Sequence, residues 1–222
     1  MAKNKNSKKE ELEQLTTTES FFDKNKKILI GGGVIVLLII ISLVGYKQFI
    51  HKPKVEASHN AYWEAFFAYQ NNDTTNVALV GNENFVGLED VAAEYDGTPG
   101  GEIANYATAT EYMERGQFNE ALSYLDDTDF DDVMLGTLVI GLKGDCYVEL
   151  GELDNAVEKF EEAANREPNE YTSPIFLKKA GLVYEKLDNK EAAVKAYQRI
   201  KDEWETSSEA TDIDKYIVRA QN

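Results

Sequence analysis

Hydrophobic positions fall into two patterns along the chain. Residues 28–46, ILIGGGVIVLLIIISLVGY, form a run of 19 residues without a charge. As a helix rising 1.5 Å per residue the run covers roughly 28 Å, close to the hydrocarbon thickness of a bilayer. Beyond it the apolar positions recur at helical spacing instead. Leu138, Leu142, Cys146 and Leu150 stand four residues apart, a stripe along one helix. Ala156, Val157, Phe160, Ala163 and Ala164 supply the buried face of a second. Gly151 is suited to end the first helix, because glycine takes the left-handed conformation that helix ends often need. Asp154 is placed to cap the second helix and Pro168 to stop it. The expected unit is two helices around a tight turn.

That unit recurs. Gly144, Tyr147, Ala156 and Phe160 return 37 residues later as Gly181, Tyr184, Ala193 and Tyr197. In the other direction, Tyr112, Gly116, Phe118, Ala121 and Leu125 stand 35 residues before Tyr147, Gly151, Leu153, Ala156 and Phe160. Gly144 and Ala156 let paired helices approach, while Tyr147 and Phe160 fill the space beside them. The pattern resembles the tetratricopeptide repeat (TPR), a two-helix unit of about 34 residues. With Thr137 as its first position, Gly144, Tyr147, Ala156, Phe160, Ala163 and Pro168 fall on the family's signature positions. Ile140 replaces the usual Trp and Lys143 the usual Leu; the third unit lacks the terminal Pro, and the first has Ala109 where glycine is usual.

The resemblance implies an all-α fold in which hairpins stack into a solenoid with a concave, partner-binding face. In the family the first helix of each unit lines that face. The implied groove positions are Tyr106, Thr110 and Met113, then Gly141, Asp145 and Val148, then Lys178, Leu182 and Glu185. Only Lys178 and Lys179 come near the Lys, Arg and Asn set with which some TPR domains grip a terminal carboxylate. A groove that takes extended or helical segments of another protein is therefore expected.

Five segments follow: a basic tail over residues 1–27, a membrane helix over 28–50, a degenerate helical pair over 55–100, three repeats over 101–205, and a capping helix over 206–222. In the degenerate pair, residues 61–69 are helical and aromatic and 86–95 are their expected partner. Residues 74–85 lack a clear period, and Gly97-Thr98-Pro99-Gly100-Gly101 is expected to be a loop. Ile213, Tyr216 and Ile217 mark the final helix, which covers the last apolar surface of the stack.

Basic residues orient the span. Seven lysines precede it and Lys47, Lys52 and Lys54 follow, a bias that keeps the N-terminus in the cytoplasm and exports the body. No small-residue cleavage pattern follows the apolar run, so an uncleaved anchor is expected. Tyr46 is placed for the outer headgroup level, Phe21 and Phe22 for the inner one. Thr16-Thr17-Thr18-Glu19 fits a capping box opening a short helix into the span, with a disordered polar tail before it. Gly31-Gly32-Gly33 lacks the G-x-x-x-G spacing of helix dimers.

Charge and composition narrow the chemistry. The chain carries −17 overall, yet residues 1–54 hold ten lysines against five acidic groups, leaving −22 on residues 55–222. So acidic a body repels polyphosphate, and nucleic-acid binding is not expected. One cysteine, Cys146, excludes an intramolecular disulfide and a Cys-based zinc cage; it falls where the repeat wants a small core residue. His51 and His59 leave little for histidine catalysis. The acidic run from Asp126 to Asp132 fails the calcium-loop pattern, because Asp132 and Leu138 stand where Gly and an acid are needed. Gly31-Gly32-Gly33 is not followed by the Lys-Ser or Lys-Thr of a phosphate loop. No catalytic constellation, metal site or cofactor is expected.

The whole layout is a basic tail, Phe21-Phe22-Asp23-Lys24-Asn25-Lys26-Lys27, one anchor, a juxtamembrane aromatic helix and TPR units. It resembles the YfgM-like family, the ancillary subunits of the bacterial Sec translocon. That resemblance implies an inner-membrane protein with a periplasmic TPR domain, associated with SecYEG and with a membrane-anchored periplasmic chaperone of the isomerase type. Two other readings stay open: a TPR scaffold for envelope assembly or cell division unconnected with Sec, and an enzyme with unrecognised catalytic residues.

Overall fold

The computed structural model describes residues 3–70 and 77–222, which divide into two compact units, Met1–Lys54 and Val55–Asn222. Helix α1, Lys3–Tyr46, makes up most of the first. The helix starts at Lys3, so Thr16–Thr18 lie inside it rather than at its opening; the expected disordered tail is corrected. The local composition accounts for this, since Lys, Glu, Gln and Leu dominate residues 8–15 and all are good helix formers. The side chains of Phe21 and Phe22 lie outside the described residues. From Ile28 to Ile50 the large apolar side chains are exposed. Among the described residues, the stretch Lys24–Phe67 is long and apolar enough to cross a membrane, and none of its apolar window is buried.

A π-helical turn, Lys47–His51, follows α1, and α2 spans Lys52–Gln70. Pro53 explains the turn: its ring would press on the carbonyl of residue 49 in a regular helix, and widening the coil relieves the clash.

The second unit continues with α3 (Val77–Val80), α4 (Leu88–Glu94), α5 (Pro99–Glu114), α6 (Phe118–Asp126), α7 (Val133–Leu150), α8 (Leu153–Arg166), α9 (Ser173–Lys186), α10 (Lys190–Glu203) and α11 (Ile213–Gln221). An antiparallel bridge joins Gly81 to Val86 between α3 and α4. Of the aperiodic stretch 74–85, residues 74–76 lie outside the described residues. Tyr62 and Ala65 of α2 share a core with Leu88, Val91 and Ala92 of α4.

The expected loop at 97–101 is instead a helix start. Thr98 caps α5, its hydroxyl accepting from the Gly101 N–H at 3.2 Å, and Pro99 occupies the first turn. This is the Thr-Pro arrangement that opens helices. Gly100 and Gly101 are buried because the backbones of Ser58 and Tyr95 lie where their side chains would go.

Three hairpins follow: α5 with α6, α7 with α8, and α9 with α10. Their turns repeat one geometry. Gly116, Gly151 and Asp188 occupy the same repeat position, all with positive φ (73°, 78° and 57°). The next residue's N–H donates to the carbonyl of Tyr112, Tyr147 and Tyr184 respectively, each at 2.9 Å, closing a Schellman-type end. Two local expectations are corrected. Glu152, not Asp154, flanks the start of α8; Asp154 sits in the first turn, where a carboxylate complements the helix dipole. On α7 the buried positions are Gly136, Thr137, Val139, Gly141, Gly144 and Cys146, whereas Leu138 is exposed and Leu142 and Leu150 only half-buried. The helix packs on both α6 and α8, so its contact face is broad and its small residues hold the close approaches.

Candidate partner-binding groove

The groove is built from α7 and α9, the first helices of consecutive hairpins. At Gly144 a side chain would come 2.6 Å from the Phe160 ring, and at Gly181 it would overlap the Tyr197 ring. Glycine therefore lets each first helix settle on the aromatic ring of its own second helix. Between α7 and α9, Phe176 covers Gly141, and the Lys179 ammonium pairs with the Asp145 carboxylate at 2.7 Å. Lys179 also lies over the Phe160 and Phe176 rings, at 5.5 and 5.8 Å.

A hollow of about 500 Å³ is lined by Asp145, Val148, Phe160, Lys179, Leu182, Val183, Glu185 and Lys186. Four of the nine expected groove residues meet there. Glu185 accepts from the Arg219 guanidinium of α11 through two contacts of 2.8 Å and from the Tyr197 hydroxyl at 2.7 Å. The Arg219 bond holds the Glu185 carboxyl below the ordinary carboxylate range, while burial and then Glu185 push the Tyr197 phenol up. The capping helix is thereby tied to the groove floor.

The other expected residues are placed differently. Gly141 is buried beneath Phe176 and presents no side chain. Lys178 stands 4.8 Å over the Tyr216 ring. In the first hairpin, Tyr106 meets Phe130 edge-on at 6.0 Å, Thr110 donates to the Ala107 carbonyl at 2.9 Å, and Met113 packs against the core of Ala109 and Leu125. None of these three borders the hollow.

A second hollow of about 520 Å³ lies toward the other end of the same helices, bordered by Met134, Leu138, Tyr171, Ile175, Ser207 and Glu209. The expected set omits it. The signal was present, since Met134 and Leu138 precede Gly141, Asp145 and Val148 on one helical face at steps of three and four.

The groups with chemical potential elsewhere have structural partners. Cys146 is buried, and burial together with nearby Asp145 pushes its thiol up to about 11, far from a reactive thiolate. In the acidic run, Asp132 caps α7 by accepting from the N–H groups of Met134 and Leu135, and Asp126 pairs with Lys143 at 2.8 Å.

Stacked two-helix units with a small residue against an aromatic ring define a TPR-type solenoid, here downstream of an apolar N-terminal helix. Tetratricopeptide repeat family models match residues 139–170 and 179–207, the second and third hairpins. A comparison with curated proteins returned no match. TPR units are typically protein-interaction modules.

Proposed function

We propose that this protein is a membrane-anchored adaptor that holds another polypeptide in the groove between its second and third repeats. The observation that carries this reading is the hollow bordered by Asp145, Val148, Leu182 and Glu185, open beside an acid–base pair and walled by apolar side chains. The apolar helix supplies the tether. The lysine bias around it supports a cytoplasmic N-terminus and an exported body. The layout of tail, anchor, aromatic helix and repeats supports an ancillary role at the Sec translocon, linking SecYEG to an isomerase-type periplasmic chaperone. The adaptor makes and breaks no bond; it raises the local concentration of its partner at the membrane.

A photo-crosslinking residue placed at Leu182 in native membranes tests this. Recovery of SecY together with a periplasmic isomerase is the expected result. Recovery of cell-division or envelope-assembly proteins alone keeps the adaptor and replaces the Sec assignment. Recovery of cytoplasmic proteins alone overturns the orientation.

A further inference from the structure

Two hollows share one seam. Leu138 and Asp145 lie seven residues apart on α7, as do Ile175 and Leu182 on α9, so the hollows are about 10.5 Å apart along the helices. The Phe176 ring packs over Gly141, which lies between Leu138 and Asp145 on α7. Met134, Leu138, Ile175 and Leu182 are each more than a third exposed although all four are large and apolar. Isolated exposed leucines need no explanation, but a row of them along a seam between two helices marks a docking surface.

We propose that the occupant of this seam is an amphipathic helix from another polypeptide. It carries two large apolar side chains seven residues apart and basic residues beside the first of them. This deepens the adaptor reading and rests on it.

The spacing selects a helix. Residues i and i+7 lie on one face of an α-helix and about 10.5 Å apart, which matches the two hollows. An extended segment presents same-face side chains every ~6.8 Å, so its pairs fall at about 7 or 14 Å and miss one hollow. Charge fixes the direction. The rim of the Met134 hollow carries Glu170 and Glu209, whereas at the Leu182 hollow Asp145 and Glu185 are already paired with Lys179 and Arg219. Basic residues on the incoming helix are complementary to the Glu170 end. If they lie at its N-terminus, the positive end of the helix dipole meets the same carboxylates.

The test uses the full chain in lipid nanodiscs and three fluorescent synthetic peptides, read by anisotropy. One is a helical peptide with two leucines seven apart and two arginines before the first. The second has the leucines four apart, and the third interrupts the first with a central proline. The first peptide is expected to bind at least tenfold more tightly than the others. Leu138→Glu and Leu182→Glu are each expected to weaken it at least tenfold, with the circular dichroism spectrum and melting temperature unchanged. Equal binding of the proline peptide overturns the helical occupant. Insensitivity to both substitutions overturns the seam as its site. Should no peptide bind while the crosslinker at Leu182 still captures a polypeptide in membranes, the helical occupant is wrong and the adaptor stands. Should the crosslinker capture nothing, the adaptor reading falls with it.

Discussion

The second and third hairpins solve a packing problem one way and the first solves it another. Gly144 faces Phe160 and Gly181 faces Tyr197, while the corresponding pair in the first hairpin is Ala109 and Leu125. A methyl group added on one side is offset by a shorter side chain on the other. All six residues are buried, and the four outermost positions of the series, Leu88, Leu125, Phe160 and Tyr197, are at most 1% exposed. Their spacing of 37, 35 and 37 residues carries the repeat back into α4. Combined volume, rather than the identity of either partner, is what these hairpins preserve, and the family models match the two that keep glycine against an aromatic ring.

Phe160→Ala should cost the most. Truncating a buried phenylalanine typically costs about 3–5 kcal/mol, and Gly144 offers no side chain to collapse into the space. Leu125→Ala should cost less, because Ala109 already occupies part of the corresponding site. Urea unfolding of the detergent-solubilised chain measures both; equal losses would mean that the two hairpins do not differ in the way their volumes indicate.

Gly144→Ala comes next, at about 1–3 kcal/mol for overpacking against Phe160. Adding Phe160→Leu recreates the Ala–Leu pair of the first hairpin and should recover most of that loss. The double-mutant cycle reads the coupling directly, and additive losses would refute compensation. Gly181→Ala should cost more than Gly144→Ala, since the Tyr197 ring is pinned through its hydroxyl to Glu185 at 2.7 Å and cannot slide away.

The repeat and its small–large pairs were legible because close helix packing needs small residues at fixed spacing. Gly144, Ala156, Gly181 and Ala193 all lie where paired helices meet. Gly97-Thr98-Pro99-Gly100-Gly101 was misread because cap, proline and packing glycines use the vocabulary of loops; only Ser58, far away in sequence, explains Gly100. The stripe of Leu138, Leu142 and Leu150 misled for the opposite reason, since bulk marks the rim of a two-sided interface rather than its centre. Of the residues lining the hollow, Asp145, Val148, Leu182 and Glu185 were named through the resemblance to the repeat family, but the closing of Phe176 over Gly141 depends on a contact between hairpins that no single helix announces.

A polar contact also distinguishes the repeats. Tyr112 donates to Glu89 and Tyr184 donates to Glu161 at 2.8 Å, each reaching back 23 residues to the preceding second helix. In the middle repeat the acceptor position holds Tyr124 instead. Tyr112→Phe and Tyr184→Phe should each cost about 1 kcal/mol, and Tyr147→Phe less. Both phenols are pushed up to about 12, Tyr112 first by its bond to Glu89 and Tyr184 first by burial. Since the folded values lie above the ordinary value near 10, their contribution is complete below pH 10 and is lost as pH rises toward 12. Ultraviolet titration should show Tyr112 and Tyr184 among the late tyrosines, alongside Tyr197, and each of the first two should move back toward pH 10 when Glu89→Ala or Glu161→Ala removes its acceptor.

The smallest expected difference lies in the turns. Gly116 and Gly151 adopt positive φ without a side-chain penalty, but Asp188 holds φ 57° at the same repeat position. A left-handed conformation costs an ordinary L-residue roughly 1–2 kcal/mol, and Asp somewhat less because its short side chain tolerates the region. Asp188→Gly should therefore stabilise the third hairpin by about 0.5 kcal/mol after the extra chain entropy of glycine is subtracted. Gly151→Ala should destabilise the second by about 1 kcal/mol. Opposite signs in the urea midpoints at these two equivalent positions would establish that the turns share one backbone and differ only in how well the resident residue suits it. A loss at Asp188→Gly would show instead that the aspartate side chain contributes more at the turn than its backbone strain takes away.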